Sequence, residues 1–253
     1  MFAPDELTYD RFLDGRVMIR QPQIGYRAAM DPVLLAAACP ARPKESVLEL
    51  GCGVGVASLC LGWRVPDLTL TGLELQAPYA ALARQNAQEN AISLRVIEGD
   101  LAQMPAQLRE ENFDHVIANP PYFPPYAGTA AKDPGRETAL REATPLAIWV
   151  QQGLKRLRPG GWISIIQQAD RLPDILTPLA RGAGNIQVLP ISSRDGRDAG
   201  RVIVRGRKGS AAPFRLVAPL VLHAGAQHLR DGEDLSFVAQ SLLRSGEKLQ
   251  VPL

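Results

Sequence analysis

A row of alternating glycines after a short apolar stretch limits the fold more than any other feature of the sequence. The apolar stretch covers residues 46–50, the glycines are Gly51, Gly53 and Gly55, and apolar, helix-like residues follow. Glycines at a strand–helix junction let the chain turn tightly and bring bare backbone and the free N–H groups of the helix against a ligand. A dinucleotide-binding loop needs glycine or alanine at the position of Val56. We therefore expect an α/β sheet with a cofactor loop of a different spacing.

Strand-like and helix-like stretches alternate through the middle of the chain. This alternation predicts a mostly parallel sheet of seven strands with helices on both faces. We expect the last two strands to form an antiparallel hairpin at the edge of the sheet. The predicted strands are residues 46–50, 68–75, 94–97, 113–118, 162–166, 186–191 and 201–205, and the predicted helices are residues 54–63, 78–90, 145–157 and 169–183.

The first 45 residues have a different pattern. An Asp14-Gly15 turn separates two apolar stretches, and a helix is predicted over residues 30–39. We expect residues 1–45 to form an N-terminal hairpin and helix appended to a single domain of residues 46–253. Prolines and glycines without periodicity predict a long loop over residues 123–144.

Composition narrows the class of protein. Hydrophobic residues make up 46% and charged residues 21% of the chain, as in an ordinary globular protein. The longest apolar run is too short for a bilayer, and Asp5 and Glu6 stand where a signal peptide needs positive charge. We therefore expect a cytoplasmic protein with no membrane span. Three cysteines without a CxxC pair and three scattered histidines predict no metal site.

Carboxylates stand near the ends of the first three predicted strands. Glu74 ends the second strand, beside Leu75, and can accept hydrogen bonds from a ribose diol. Asp100 follows the third strand and can accept from an adenine amine while the N–H of Leu101 donates to the ring. Taken singly, Glu74 and Asp100 could also cap a helix or be solvated strand ends. Glu49, in the first strand, could contact the ligand or only order the glycine loop.

Asn119-Pro120-Pro121-Tyr122 closes the fourth predicted strand, at the edge where a parallel sheet binds its ligands. The prolines give a rigid, extended backbone without N–H donors. The side-chain oxygen of Asn119 and the carbonyl of Pro120 can both accept from one amino group, and Tyr122 can stack on a planar target. Two such acceptors orient the lone pair of a weakly nucleophilic nitrogen toward a methyl donor. The alternative is a structural turn without activity.

Together these elements resemble the class I methyltransferases, in which E/D-x-G-x-G-x-G, an acid ending strand two and an acid after strand three bind S-adenosylmethionine. The resemblance covers about residues 46–168 and implies a Rossmann-like fold. The motif at 119–122 is similar to the D/N/S-P-P-Y/F signature of amino methyltransferases, which act on adenine N6, cytosine N4, guanine N2 or a glutamine amide. The residues that the resemblance assigns to the cofactor are Glu49, Gly51, Gly53, Gly55, Glu74, Leu75, Asp100, Leu101 and Asn119.

Tyr26 to Leu35 resembles the segment before the cofactor site in the bacterial tRNA1(Val) (adenine-37-N6)-methyltransferase family, where a (G/T)-D-x-x-L-L pattern recurs. This resemblance covers nearly the whole chain and fades after about Val217. It implies that Asp31 caps the cofactor pocket. The alternative is that Asp31 is the N-cap of the helix that follows.

The sequence thus predicts an S-adenosylmethionine-dependent methyltransferase acting on an exocyclic amine, with adenine N6 in tRNA as the preferred target. The alternatives are a protein glutamine N5-methyltransferase, a small-molecule N-methyltransferase and a non-catalytic RNA-binding module. RNA could be held by the loop after Tyr122 and by a basic edge, although that edge could also be merely solvated. The basic edge, opposed only by two aspartates, contains Arg194, Arg197, Arg201, Arg205, Arg207, Lys208 and Arg215.

Overall fold

The computed structural model describes residues 2–122, 144–225 and 234–250. Residues 123–143 of the predicted loop lie outside these ranges. The strands are β1 (Leu7–Phe12), β2 (Val17–Pro22), β3 (Ser46–Leu50), β4 (Thr69–Glu74), β5 (Leu94–Glu98), β6 (Phe113–Ala118), β7 (Leu157–Gln168), β8 (Ala183–Ser192), β9 (Ala199–Lys208), β10 (Arg215–Leu216) and β11 (Leu220–Val221). The helices are α1 (Met30–Ala38), α2 (Val56–Arg64), α3 (Ala77–Glu89), α4 (Ala106–Arg109), α5 (Leu146–Arg156), α6 (Leu172–Leu179) and α7 (Phe237–Leu243).

A large mixed sheet forms the centre of the fold in the described residues. Its strand order is β10-β8-β9-β7-β6-β3-β4-β5, and β11 also pairs with β8. Strands β3 to β7 are parallel neighbours along this path, whereas β9 is antiparallel to both β7 and β8. One hydrophobic cluster includes residues of α1, α2 and α7, and a second includes residues of α5 and α6. The predicted Rossmann-like α/β sheet is confirmed. None of the described helices has both the length and the apolar character needed to cross a bilayer.

The edge of the sheet differs from the prediction. Seven strands were expected, with the last two at the edge, but the described sheet has nine. The chain after β9 adds two short parallel strands to β8, pairing Arg215 with Gln187 and Leu220 with Ile191. The antiparallel pair of β8 and β9 is therefore not at the edge of the sheet, because β7 lies beside β9 while β10 and β11 lie beside β8. Strands of two residues carry too little periodicity to be predicted from sequence.

Two predicted boundaries around β7 and α6 are wrong. Gly160 and Gly161 were expected to lie between a helix and a strand, yet they lie inside β7, which begins at Leu157. A Cβ on Gly161 would lie 2.8 Å from the Asp114 carbonyl oxygen, so this glycine allows a close approach between strands. The helix predicted over 169–183 is a short 3-10 turn followed by α6, which ends at Leu179.

The predicted N-terminal hairpin is present as β1 and β2. Its turn carries Asp14 and Gly15 with φ of 57° and 85°. The hairpin docks on α3 through two asparagine side chains. Asn86 accepts from the Arg20 N–H at 2.8 Å and donates to the Arg20 carbonyl at 3.1 Å, and Asn90 pairs in the same way with Met18. These amides therefore replace a neighbouring strand for β2, while the division of the chain at residue 45 stays a prediction.

Replacing Asn86 tests how strongly this docking stabilises the fold. Asn86 is fully buried and also donates to the Val54 carbonyl at 3.0 Å. Asn86→Ala leaves these backbone groups without partners, so we expect the free energy of unfolding to fall by about 2–4 kcal/mol. Urea denaturation followed by circular dichroism measures this. The exposed neighbour Gln85→Ala should change it by less than about 0.5 kcal/mol. Equal effects of the two substitutions would contradict the docking role.

Candidate active site

The parallel register brings the predicted site residues to one edge of the sheet. Leu50 is opposite Leu73 in β4 and Ala118 in β6, and Glu74 is opposite Glu98 in β5. The segments that leave these strands therefore start side by side. They contain the glycine loop, the Asp100 turn and the motif that begins at Asn119.

The glycine loop needs a left-handed backbone. Gly51, Gly53 and Gly55 have φ of 66°, 53° and 90°, a region that other residues rarely adopt. A Cβ at Gly51 would also lie 2.6 Å from the Trp149 side chain. Gly55 is the N-cap of α2, so the loop leads directly into the free N–H groups of that helix.

Glu74 fastens this loop to the end of β4. One carboxylate oxygen accepts from the Gly53 N–H at 2.9 Å and the other from the Gln76 N–H at 2.8 Å. The side chain is 6% exposed, and this burial raises the pKa of Glu74. The next residue, Leu75, is more than half exposed at the same edge.

Glu49 orders the start of α2. Its Oε2 accepts from the Ser58 N–H at 2.9 Å and from the Ser58 hydroxyl. The residue is buried, and burial raises the pKa of Glu49 to about 8. These contacts match the structural alternative stated for this residue. They place its carboxyl group behind the glycine loop, where it fixes the first turn of the helix.

Asp100 caps a short 3-10 turn, Leu101–Gln103. Its Oδ1 accepts from the Ala102 N–H at 2.7 Å, and Leu101 is buried. The capping alternative is thus realised for Asp100. The capped turn fixes the position of the carboxylate near the end of β5.

Asn119 presents an acceptor without a partner. Its Nδ2 donates to the Tyr26 hydroxyl at 3.3 Å, whereas its Oδ1 is buried and has no hydrogen-bond partner among the described residues. A buried acceptor without a partner destabilises the free protein, which is a common property of binding and catalytic groups. The following carbonyls, of Pro120 and Pro121, accept from Gln167 Nε2 at 3.4 and 3.1 Å.

Tyr122 is held by a carboxylate and a guanidinium group. Its hydroxyl donates to Asp31, and the Arg201 Nε donates to the same Asp31 oxygen at 2.9 Å. The Arg201 guanidinium also lies 6.0 Å from the centre of the Tyr122 ring. Burial, with the nearby charge of Asp31, raises the pKa of Tyr122, so its hydroxyl stays a donor.

Asp31 is not the N-cap of α1. The N-cap position is Ala29, and no side chain caps this end of the helix. Asp31 instead lies inside the first turn with its carboxylate directed at Tyr122 and Arg201. The N-cap alternative was wrong because the helix begins at Met30, one residue before Asp31 rather than after it.

Sequence reasoning missed Tyr26, Gln167 and Arg201 as members of the site. Gln167 could have been found, because it is a polar residue that directly follows the predicted strand 162–166, at the end of a strand where a parallel sheet binds its ligands. Tyr26 and Arg201 reach Asn119 and Asp31 across sequence separations of 93 and 170 residues. No local pattern indicates contacts of that kind.

The basic residues of the expected edge do not all lie at one end of the sheet. Arg201 lies at the site, whereas Arg205 is buried with its guanidinium 4.9 Å from the centre of the Trp162 ring. Arg207 and Lys208 lie at the opposite end of β9, about 20 Å along the strand from Arg201. Arg194 is paired with Asp234. Strand direction therefore divides these charges between two ends of the sheet.

Cysteines and histidines contribute no metal-like cluster in the part of the chain that the structure describes. The three cysteines are free and buried. His115 is buried with its Nε2 2.7 Å from a Glu45 carboxylate oxygen, on the strand end opposite to the glycine loop. His223 contacts Asp234 at the same distance of 2.7 Å.

Comparisons with known proteins identify a methyltransferase family. Residues 29–179 match the model of the methyltransferase small domain. A tRNA1(Val) (adenine(37)-N6)-methyltransferase from Porphyromonas gingivalis is 31% identical over 66% of this chain and 68% of that protein. A release factor glutamine methyltransferase from Chlorobaculum tepidum is 27% identical over 72% of this chain and 65% of that protein. A solved structure described as a predicted O-methyltransferase from Agrobacterium tumefaciens has a TM-score of 0.72 at 24% identity, covers 88% of this chain and all of that one, and shows the likeness in fold.

The pKa of Glu49 predicts how stability depends on pH. The folded protein keeps a proton on Glu49 up to about pH 8, whereas the ordinary pKa of this group is 4.5. Between these values the folded state binds more protons than the unfolded state, so stability decreases as pH rises. Glu49→Gln keeps an acceptor for Ser58 and removes this titration. We expect its free energy of unfolding to fall less than that of the native protein between pH 5 and 8.

Urea denaturation at three pH values from about 5 to about 8, without added cofactor, measures this difference in slope. The exposed Glu110→Gln serves as the matched control and should keep the native slope. If Glu49→Gln and the native protein lose stability in parallel, the protonated state of Glu49 is refuted.

Proposed function

We propose that this chain, which belongs to the methyltransferase small domain family, methylates the N6 amine of an adenine in tRNA. It is an S-adenosylmethionine-dependent N-methyltransferase with a Rossmann-like fold. The observation that carries the choice of an amine is the buried Oδ1 of Asn119, which has no partner among the residues that the structure describes and lies at the same strand edge as the glycine loop.

The residues at this edge fit S-adenosylmethionine. The glycine loop exposes backbone that a Cβ at Gly51 would obstruct, and it leads into the N-terminus of α2. We assign the methionine end of the cofactor to the loop of Gly51, Gly53 and Gly55, the ribose to Glu74 and the adenine to Asp100 and Leu101. A carboxylate such as Glu74 accepts two hydroxyl donors in addition to its backbone partners because each oxygen has two lone pairs.

Asn119 and Pro120 orient the target amine in this proposal. The bound cofactor supplies an electrophilic methyl group on a sulfonium. The Asn119 Oδ1 and the Pro120 carbonyl each accept one hydrogen of the target amine, which leaves the nitrogen lone pair directed toward the methyl donor. The prolines contribute rigidity, since their φ angles are fixed. The rate increase comes from orientation and fixed dipoles.

Tyr122 supplies a stacking surface for a planar base. Its side chain is held in position because Asp31 accepts from its hydroxyl and Arg201 holds Asp31 in turn. A ring that is fixed before the substrate binds loses little further entropy on stacking. We therefore assign Asp31 to the support of Tyr122 rather than to direct contact with the cofactor.

The preference for tRNA rests on the relatives. The Porphyromonas gingivalis protein carries that activity in its name, and its aligned region includes two thirds of this chain. A flipped or single-stranded adenine presents the flat face and the amine that Tyr122 and Asn119 require. A tRNA substrate also agrees with the expected cytoplasmic location. The second candidate is glutamine methylation, because the Chlorobaculum tepidum relative carries that name and a glutamine amide also offers two N–H hydrogens.

Incubation with labelled S-adenosylmethionine tests the substrate class. Bulk tRNA, rRNA, release factors and free nucleosides are offered separately, and labelled products are digested and identified. We expect label in N6-methyladenosine from tRNA. Label in glutamine would establish the second candidate, and label confined to nucleosides or rRNA would contradict tRNA as substrate.

Removal of the Asn119 amide tests the chemistry. Asn119→Ala should lower kcat by about 100-fold or more, because a positioned acceptor is lost, while cofactor affinity stays within about threefold. Kinetics and calorimetric titration with S-adenosylmethionine measure the two quantities. The control Asn112→Ala removes an exposed asparagine that precedes the same strand and should leave both unchanged. Full activity of Asn119→Ala would rule out the proposed mechanism.

A further inference from the structure

We infer that Tyr26 is a positioning residue whose hydroxyl fixes the orientation of the Asn119 carboxamide, so that oxygen rather than nitrogen faces the target amine. The inference rests on the proposed role of Asn119. It assigns a task in the reaction to a residue of the segment before α1, which lies outside both the glycine loop and the Asn119 motif.

A carboxamide poses an orientation problem in this reaction. Its oxygen and nitrogen are nearly equal in size, so a rotation by half a turn exchanges an acceptor for a donor. With Oδ1 toward the target, Asn119 accepts a hydrogen of the amine. With Nδ2 toward the target, two donors face each other and the amine is repelled. An enzyme that uses asparagine in this way needs a second group that favours one orientation.

Tyr26 occupies the position from which this can be done. Its hydroxyl lies 3.3 Å from Asn119 Nδ2, whereas Asn119 Oδ1 has no hydrogen-bond partner within the described part of the chain. Its backbone N–H donates to the Tyr79 hydroxyl at 3.0 Å, which anchors the residue. The ring edge lies 3.7 Å from the point where a Cβ on Gly53 would stand, so the same side chain also packs against the glycine loop.

The charges around Tyr26 favour acceptance from Asn119. Burial raises the pKa of Tyr26, and the negative charge of Asp31 raises it further, so the phenol keeps its proton. A phenolic hydroxyl hydrogen takes one of two positions in the plane of the ring and favours the one nearer to negative charge. The oxygen lone pairs are then available to Asn119 Nδ2. In the opposite amide orientation the hydroxyl would have to direct its hydrogen at Asn119 Oδ1 instead.

Tyr26→Phe removes the hydroxyl and keeps the ring against the glycine loop. We expect kcat to fall about tenfold, which corresponds to the loss of one modest orienting bond. The KM for the methyl acceptor and the affinity for S-adenosylmethionine should stay within about twofold. The exposed Tyr9→Phe is the matched control and should keep the native kcat. An unchanged kcat, or a loss explained by weaker cofactor binding, would overturn the inference.

A second substitution separates orientation from general packing. In Asn119→Asp both terminal atoms are oxygens, so there is no wrong orientation to exclude, and the amino methyltransferase motif includes aspartate at this position. We expect Asn119→Asp to be active and Tyr26→Phe to lower its kcat by less than about twofold. The same tenfold loss in both backgrounds, or an inactive Asn119→Asp, would overturn the inference.

The experiments distinguish a failure of the proposed role of Asn119 from a failure of the proposed role of Tyr26. If Asn119→Ala keeps full activity, the role of Asn119 is wrong and the orientation of its amide is irrelevant. If Asn119→Ala is inactive and Tyr26→Phe is fully active, the proposed function stands and only the role of Tyr26 is refuted. Thermal unfolding of each variant, with and without S-adenosylmethionine, shows whether the fold is retained.

Discussion

The glycine loop at the end of β3 depends on the Glu74 carboxylate, and the rest of the site depends on that loop. Three left-handed glycines make the loop possible but do not by themselves hold it in one conformation, since glycine loses more conformational freedom on folding than any other residue. The bond from the Gly53 N–H to Glu74 ties the loop to β4, and the bond from the Ser58 N–H to Glu49 fixes the helix that leaves it. The buried carboxyl groups thus convert a flexible sequence into a fixed surface.

The segment before β3 contributes side chains that contact the candidate site. Tyr26 reaches Asn119, Asp31 reaches Tyr122, and the hairpin is joined to α3 by the Asn86 amide. The family model begins at residue 29, so it includes Asp31 but not Tyr26. Groups that contact Asn119 and Tyr122 therefore come from chain that precedes the glycine loop, and the fold places them there through α1 and β2.

Much of the central fold could be predicted because its signals are local. The strand at 113–118 was predicted with its exact ends, and the glycine loop and Asn119 motif are contiguous stretches whose backbone demands are visible in the sequence. The contacts of Asn86 with β2 and of Arg201 with Asp31 could not be predicted, because they join residues 66 and 170 positions apart. Gly161 was wrongly predicted to precede a strand for a related reason. It is a glycine because the Asp114 backbone lies close to it, and this contact between strands is not visible in the local sequence.

The distribution of charge at the reaction edge follows from the direction of β9. Because β9 runs antiparallel to its neighbours, its first residues lie at the edge of the glycine loop and its last residues lie at the opposite edge. Arg201 is therefore the residue of the basic run that meets Asp31, and this pairing offsets the charge beside Tyr122. In the proposed function, such a neutral pair supports the Tyr122 ring without attracting a phosphate backbone into the position of the base. The basic residues of β9, which look like one cluster in the sequence, thus lie at different positions along the strand, and their count alone says little about where a nucleic acid would bind.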